Sequence, residues 1–148
     1  MTIGEFLKRS QRRLVVCLPD DTLNAVAKLM YAHNIGAMPV CQLATRMLGI
    51  ISERDLVRAF ARTDLNELQY LRARDLMTTR VVSCAPDDTM RSAHRLMLNN
   101  HFRHLPVVKD ENLLGMLSIR DTLALRLQES EAETNVLRDL VAGSQFAA

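Results

Sequence analysis

The stretch LGIISERD at residues 48–55 returns as LGMLSIRD at residues 114–121, with Leu, Gly, Ser, Arg and Asp in the same places. A second pair of stretches matches at a similar offset: CLPDDTLNAVAKLMYAHNIGAMPV at residues 17–40 and CAPDDTMRSAHRLMLNNHFRHLPV at residues 84–107. Matches in the same order over both pairs indicate an internal duplication, in which each repeat is one structural unit. The chain of 148 residues therefore contains two repeats joined by a linker.

The beginning of each repeat predicts a short strand followed by a helix. The β-branched pairs at residues 15–16 and 81–82 favour strands, and the Pro-Asp-Asp turns after them lead into helix starts. Apolar residues then recur at helical spacing from Leu23 to Met30 and from Met90 to Met97. The candidate N-caps are Asp21 or Thr22 in the first repeat and Asp88 or Thr89 in the second.

The end of each repeat predicts a β-hairpin and a second helix. Two short apolar runs separated by a polar turn are typical of a hairpin. These runs are residues 37–41 and 47–51 in the first repeat, and residues 104–108 and 113–117 in the second. A helix follows from Ser52 and from Ser118. Because neither repeat can cover both faces of its own sheet, we expect the two to pack together.

The last helix of the second repeat is predicted to be longer than its counterpart. The chain has no Pro or Gly from Ser118 to about Val141, and we expect the helix to end at Gly143. Apolar residues follow a coiled-coil spacing that two polar residues interrupt. The apolar positions are Leu123, Leu127, Leu137 and Val141, and the polar ones are Ser130 and Thr134. This helix either packs back on the body of the protein or pairs with another subunit.

The predicted fold class is α+β (α/β-like), with two βαββα repeats packed through their sheets and an extended C-terminal helix. Residues 1–62 form the first repeat with an N-terminal helix, and residues 63–77 form a linker with one short helix. Residues 78–126 form the second repeat, and residues 127–148 extend the C-terminal helix and end in a tail.

Composition and motifs exclude several classes of protein. The net charge of +2 and the aromatic content of 4% argue against a nucleic-acid binder, which usually carries a basic excess and stacking aromatics. No apolar run approaches the ~20 residues that span a membrane. The three cysteines lack C-x-x-C spacing, so a globular protein of the reducing cytoplasm is expected. Motifs such as G-x-S-x-G and H-E-x-x-H are absent from the sequence, so we do not expect an enzyme.

The repeated signature combines groups that suit a phosphorylated nucleoside. Gly49 and Gly115 stand where a strand runs into a helix and permit another group to approach closely. Ser52 and Ser118 begin the helices, whose free N–H groups and dipole favour an anion. The Arg two residues later can contact a phosphate, and the Asp three residues later can accept hydrogen bonds from a ribose. A second interpretation needs no ligand, because Ser-x-x-Asp also resembles a capping box.

Two repeats of this topology, each with an h-P-V segment and a G-h-h-S-x-x-D signature, resemble a tandem CBS domain pair, also called a Bateman module. The resemblance covers residues 14–126 and extends to small stand-alone bacterial proteins of this family. It implies a regulatory protein whose two clefts between the repeats bind adenosine-containing ligands such as AMP, ADP, ATP or S-adenosylmethionine, without a covalent cofactor. It also implies a disc-shaped homodimer and a separate regulated partner protein.

The resemblance assigns ligand-binding roles by position. Ser52 and Ser118 would contact the phosphate. Asp55 and Asp121 would contact the ribose. The other candidates line the same clefts: Ala37, Met38, Arg54, Arg103, His104, Leu105 and Arg120.

The remaining candidates would contact the adenine or neutralise charge. Met38 and Leu105 would offer backbone groups and apolar contact to the adenine. Arg103 and His104 would neutralise phosphates, whereas Glu53 disfavours an anion beside the first signature unless it points away. We therefore expect the second signature to be the more favourable one for an anion.

Three functions fit the sequence. A sensor of adenine nucleotides is favoured over a ligand-free dimerising scaffold that acts through protein contacts, and a nucleic-acid-associated protein comes third.

Several other features are assigned structural roles. The histidines fit no closed zinc pattern, and Cys17 and Cys84 are expected to serve packing. A solvated face is predicted for the basic residues Lys8, Arg9, Arg12 and Arg13, with contact to nucleic acid or phosphate as the alternative.

Overall fold

The computed structural model describes residues 1–145, within which the chain forms seven helices and four strands. The helices are Ile3–Ser10 (α1), Leu23–His33 (α2), Glu53–Arg62 (α3), Leu65–Leu68 (α4), Ala73–Leu76 (α5), Met90–Asn100 (α6) and Ile119–Gln145 (α7). The strands are Ala37–Gln42 (β1), Arg46–Ser52 (β2), His104–Lys109 (β3) and Asn112–Ser118 (β4). The mixed α and β composition confirms the predicted fold class.

The strands form one antiparallel sheet in the order β1-β2-β4-β3. The two hairpins have matching registers, and each contains a bulge, between Val40 and Cys41 in the first and between Val107 and Val108 in the second. They join at a single residue pair, Arg46 with Asn112. The Thr45 hydroxyl strengthens this junction by donating to Asn112 Oδ1 at 2.8 Å. The two repeats are thus connected through their sheets.

Both hairpin turns place two consecutive residues in the left-handed region. Leu43 and Ala44 have φ values of 49° and 68°, and Asp110 and Glu111 have values of 51° and 63°. Two positive φ angles are the mark of a tight turn whose twist suits a hairpin. The two turns share this feature although they differ in length, since three residues (43–45) join β1 to β2 and two (110–111) join β3 to β4.

The predicted first strand of each repeat is wrong. Cys17 forms one parallel bridge to Val40, and Cys84 forms the equivalent bridge to Val107, whereas residues 15–16 and 81–82 are not in strands. The chain leaves the sheet at once because a turn begins at the next residue: the N–H of Leu18 donates to Asp21 Oδ2 at 2.8 Å.

Thr22 and Thr89 are the N-caps of the first long helix in each repeat. The Thr22 hydroxyl accepts from the N–H of Ala25, and the Thr89 hydroxyl accepts from the N–H of Ser92. Of the two candidates in each repeat, threonine caps the helix. The aspartate before it stabilises the turn.

Each repeat has its own hydrophobic core, built from corresponding positions. The first consists of Cys17, Val26, Met30, Met38, Val40, Ile51 and Ala73. The second consists of Ile3, Cys84, Met90, Ala93, Met97, Leu105, Val107 and Leu117. Residue 3 thus belongs to the core of the second repeat and residue 73 to the core of the first.

The segments that precede the two repeats are exchanged between them. The N–H of Ile3 in α1 donates to the carbonyl of Asp88 at 2.9 Å. The N–H of Ala73 in α5 donates in the same way to the carbonyl of Asp21 at 2.9 Å. The N-terminal helix therefore packs on the second repeat. The linker contains two short helices where one was expected, and the second of them packs on the first repeat.

The C-terminal helix continues beyond its predicted end. α7 passes through Gly143 and reaches Gln145, and a Cβ added at Gly143 would meet no atom within 4 Å. A glycine inside an exposed helix costs about 1 kcal/mol relative to alanine, which does not stop the helix. Residues 146–148 of the predicted tail lie outside the described residues. Among residues 1–145, none of the helices has the length and apolar character needed to cross a bilayer.

Candidate functional site

The helix starts after β2 and β4 are capped by the serine and aspartate of the signature. In the second repeat, Asp121 Oδ2 accepts from both the N–H and the hydroxyl of Ser118 at 2.8 Å, and the N–H of Asp121 donates to Ser118 Oγ at 3.3 Å. In the first repeat, Ser52 and Asp55 make the same three contacts at 2.8, 2.9 and 3.3 Å. The capping box is therefore present twice, and in both cases it uses Oδ2.

The residues that precede β1 and β3 lie beside these helix starts. His104 pairs with Ser118 in the hairpin, and the N–H of Ile119 donates to the carbonyl of Arg103 at 2.9 Å. The first repeat has the same arrangement, in which Ala37 pairs with Ser52 and the N–H of Glu53 donates to the carbonyl of Gly36. The structure thus brings the predicted residues of each repeat together.

The second oxygen of each aspartate is held by an arginine. Arg12 Nη1 lies 2.6 Å from Asp121 Oδ1, and Arg58 Nη1 lies 3.4 Å from Asp55 Oδ1. Arg58 comes from the same helix as Asp55, whereas Arg12 comes from the segment after α1. The sequence interpretation treated Arg12 as part of a solvated face. Its equivalent in the second repeat is Thr79, so the duplication gave no signal for this contact.

His104 lies in a mixed electrostatic environment made by both repeats. Burial lowers the pKa of His104 below its ordinary value. The carboxylates of Asp121 and Glu53 act to raise this pKa, and the charges of Arg103 and Arg120 act to lower it. Because Glu53 belongs to the first repeat, charged groups of both repeats act on the pKa of His104.

The Glu53 carboxylate acts on residues of both repeats. It lies against Gly36, where an added Cβ would be 2.5 Å from Glu53 Oε1. The same carboxylate acts on His104 of the second repeat. The Glu53 carboxylate thus acts on groups of both repeats, and the preference of an anion for the second signature stays a prediction.

The other predicted residues differ in what they can offer to a ligand. The side chains of Met38 and Leu105 are fully buried in the two cores, so only their backbone groups can meet an adenine. Arg54, Arg103 and Arg120 are exposed and can reach an anion.

Both signature glycines permit a close approach, as predicted, but the approaching group belongs to the protein. A Cβ added at Gly49 would lie 2.6 Å from the carbonyl oxygen of Thr78. A Cβ added at Gly115 would lie 2.8 Å from the side chain of Leu7. The glycines therefore accommodate the exchanged segments.

The three cysteines have the environment of packed residues. All three are buried and free. Burial, with a smaller contribution from a nearby aspartate, raises the pKa of Cys17 and of Cys84 to about 12. Thiols in this state are poor nucleophiles. In the part of the chain that the structure describes, no three His, Cys, Asp or Glu side chains are grouped to hold a metal ion.

Two surface grooves each include the residue directly after a signature aspartate, Thr122 in one and Leu56 in the other. One, of about 300 Å³, lies between α6 and α7, and the other, of about 340 Å³, lies between α2, α3 and α4. They occupy equivalent places in the two repeats. The capping serines and aspartates line neither groove.

Comparison with known proteins agrees with this duplicated architecture. The sequence profile of the CBS domain matches residues 3–62 and again residues 73–127. A CBS-domain containing protein from Agrobacterium tumefaciens is 34% identical, and its crystal structure superimposes with a TM-score of 0.76 over 85% of this chain and 99% of that one. CBSX2 of Arabidopsis thaliana, solved in complex with AMP, is 27% identical, with a TM-score of 0.73 over 87% of this chain and 98% of that one.

A further relative is a 17.7 kDa protein of Acidianus ambivalens, 37% identical over 110 residues. The match covers 74% of this chain and 65% of the relative, so the chain spans just under two thirds of that relative's length. The profile matches account for most of the chain and fall on the two structural repeats. This chain belongs to the CBS domain family and carries two CBS domains in tandem.

Proposed function

We propose that this chain is a regulatory module that binds an adenine nucleotide of the AMP, ADP or ATP type beside its two signatures and relays binding to a separate protein. The observation that carries the proposal is the use of the signature aspartates. Oδ2 of each carboxylate caps a helix, while Oδ1 pairs with an arginine. Capping and ligand binding therefore use different oxygens of Asp55 and Asp121.

The chemistry around the second signature suits a nucleoside phosphate. Oδ1 of Asp121 would accept from a ribose hydroxyl, and Ser118 at the start of α7 would contact the phosphate, which the helix dipole favours. Arg103, His104 and Arg120 would add positive charge or hydrogen-bond donors. The first signature would use Ser52, Asp55 and Arg54 in the same way, with Ala37 and the backbone of residues 38 and 105 beside the adenine. The AMP complex of CBSX2 supports this class of ligand.

Thermal unfolding with and without nucleotide tests the proposal. A ligand at 100 times its dissociation constant raises the free energy of unfolding by about 2.7 kcal/mol, which corresponds to on the order of 5–10 °C for a chain of this size. We expect such a rise with at least one of AMP, ADP and ATP at millimolar concentration. No rise with any of them, and no heat in titration calorimetry, would reject the nucleotide function.

A pair of variants separates binding from helix stability. Asp121→Asn removes the carboxylate charge that the ribose would use, and we expect it to weaken nucleotide binding by about tenfold or more, or about 1.4 kcal/mol. Thr89→Ala is the matched control, because it removes a helix cap of the same repeat whose hydroxyl accepts from Ser92. It should lower stability by about 1 kcal/mol and leave the affinity unchanged.

A ligand-free scaffold that acts through protein contacts is the second candidate. One observation favours it: in the described part of the chain, every buried side-chain nitrogen or oxygen has a hydrogen-bond partner without a ligand. This protein would melt at the same temperature with and without nucleotide. The melting experiment therefore decides between the two candidates.

A further inference from the structure

The C-terminal helix extends well beyond the body of the protein. α7 has 27 residues, which at 1.5 Å per residue gives a length of about 40 Å. Ile119 and Leu125 in its first two turns pack against the core of the second repeat. Every residue at positions 126–144 is exposed. The outer part of the helix, about five turns, therefore has no apolar support from the body.

Apolar side chains form a regular stripe along this exposed part. Leu127, Leu137 and Val141 are 61%, 62% and 59% exposed. Together with Leu123, Ser130 and Thr134 they follow alternating steps of four and three residues, as the a and d positions of a heptad repeat do. In proteins, a helix is stabilised mainly by packing of its apolar face and less by the helix propensity of its residues. We therefore expect the stripe to pack against another apolar surface.

The two polar positions of the stripe are compatible with burial. The Thr134 hydroxyl donates to the carbonyl of Ser130 at 2.9 Å, within the same helix. A buried hydroxyl is costly when it lacks a hydrogen-bond partner, but the Thr134 hydroxyl already has one in the carbonyl of Ser130. Ser130 is small and adds little bulk to the stripe.

The charges beside the stripe fit a second copy of the same helix. Arg126 and Glu133 occupy g positions, and Glu131 and Arg138 occupy e positions. In a parallel pair, each g residue faces the e residue five positions later on the other helix. Arg126 would face Glu131 of the partner subunit, and Glu133 would face Arg138 of the partner subunit. Both contacts join opposite charges.

The antiparallel arrangement is less favourable. If Leu127 packs on the partner subunit's Leu137, Glu131 lies opposite Glu131 of the partner subunit. Glu133 likewise lies opposite Glu133 of the partner subunit. Like charges that face each other across an interface are destabilising. We propose that residues 123–141 pair with the same segment of a second copy, as a parallel two-stranded coiled coil.

Sedimentation of the full chain tests the interface. Leu137→Glu places a charge in the stripe and should raise the dimer dissociation constant by about tenfold or more. Val136→Glu is the matched control, because Val136 is 57% exposed but lies beside the stripe; it should change the constant by less than about twofold. Both variants should keep the melting temperature of the body. A monomeric unmodified chain at tens of micromolar, or a larger effect of Val136→Glu, would overturn the proposal.

Cross-linking tests the orientation. A d position faces its own copy in a parallel coiled coil, so Leu137→Cys should form a disulfide-linked dimer with the mild oxidant diamide. Val136→Cys should cross-link much more slowly, and the buried native cysteines should not react. Failure of Leu137→Cys to cross-link in a chain that sediments as a dimer would overturn the parallel arrangement.

Discussion

Arg12 reaches from the segment after α1 to the signature of the second repeat, where its Nη1 atom lies 2.6 Å from Asp121 Oδ1. The Asp121 side chain is only 4% exposed, whereas that of Arg12 is 61% exposed. Asp55, the equivalent residue of the first repeat, pairs with Arg58 of its own helix at 3.4 Å. The two signatures therefore have the same cap but a different guanidinium on the Oδ1 atom of the aspartate.

This ion pair predicts discrimination between AMP and adenosine. A ribose that binds Asp121 Oδ1 must displace Arg12, and a phosphate can compensate the released guanidinium, whereas a neutral nucleoside cannot. Arg12→Gln should therefore strengthen the binding of adenosine relative to the binding of AMP. The dissociation constant of adenosine divided by that of AMP should fall by about tenfold. Titration calorimetry with both ligands measures this ratio.

Arg13→Gln provides the control for Arg12→Gln, because Arg13 is the exposed neighbour and carries the same charge. It should leave the ratio unchanged. An equal effect of the two substitutions would mean that general charge, and not the contact with Asp121, governs the discrimination.

The signature glycines predict unequal costs of substitution. An added methyl group at Gly49 meets the backbone carbonyl of Thr78. This carbonyl accepts from the N–H of Ile50, and the N–H of Thr78 donates to the carbonyl of Ile50, so the backbone of Thr78 is held at both groups. At Gly115 the added methyl group meets the end of the Leu7 side chain, which can move. Gly49→Ala should cost about 1–3 kcal/mol through overpacking, and Gly115→Ala should cost less. Urea unfolding of both variants measures the difference, and equal costs would contradict this explanation.

Local patterns in the sequence were enough to predict the repeats, the hairpins and the helix caps. The serine and aspartate of a capping box are three residues apart, so their contact is visible in the sequence. The exchange of α1 and α5 was not predictable in this way, because an apolar pattern shows that a face is buried but not which repeat covers it. The Arg12 contact was missed for the same reason, since it joins residues 109 positions apart and has no counterpart at Thr79.

A buried polar pair in the second repeat predicts a non-additive pair of substitutions. His94 Nδ1 lies 2.8 Å from Thr122 Oγ1, and the Thr122 hydroxyl donates to the carbonyl of Ile119. The His94 nitrogen is therefore the donor in this pair. The equivalent residues of the first repeat are Ala27 and Leu56. Thr122→Val should cost about 1–3 kcal/mol because it leaves His94 without its acceptor.

Placing the residues of the first repeat at both positions should remove the cost of the unpaired His94 nitrogen. The double variant His94→Ala with Thr122→Leu replaces both polar groups by apolar ones, and it should be more stable than Thr122→Val alone. Chemical unfolding of His94→Ala, Thr122→Leu and the double variant completes a double-mutant cycle. If the double variant were the least stable of the three, the hydrogen bond would not be the source of the cost.

His104 predicts a dependence of nucleotide affinity on pH. Burial lowers its pKa in the free protein, so the ring is neutral at pH 7, and a phosphate bound beside it would favour the charged form and raise the pKa. The complex then holds more protons than the free protein, and the affinity for AMP should rise as the pH falls from about 7.5 to about 6. His104→Gln separates two sources of pH dependence. The variant lacks the titrating histidine, whereas the phosphate of AMP still titrates. The variant should retain a shallower pH dependence, and an identical slope would place the phosphate away from His104.

The stability of the free protein should change in the opposite direction. Because the pKa of His104 is lower in the folded chain than in the unfolded one, the unfolded chain binds more protons once the pH falls below about 6.5. The contribution of His104 to stability is therefore complete above that pH and is lost as the pH falls toward the lowered pKa. Unfolding of the unmodified chain and of His104→Gln between pH 8 and pH 5 should show this loss in the unmodified chain only. A parallel decline in both would assign the acid sensitivity to other groups.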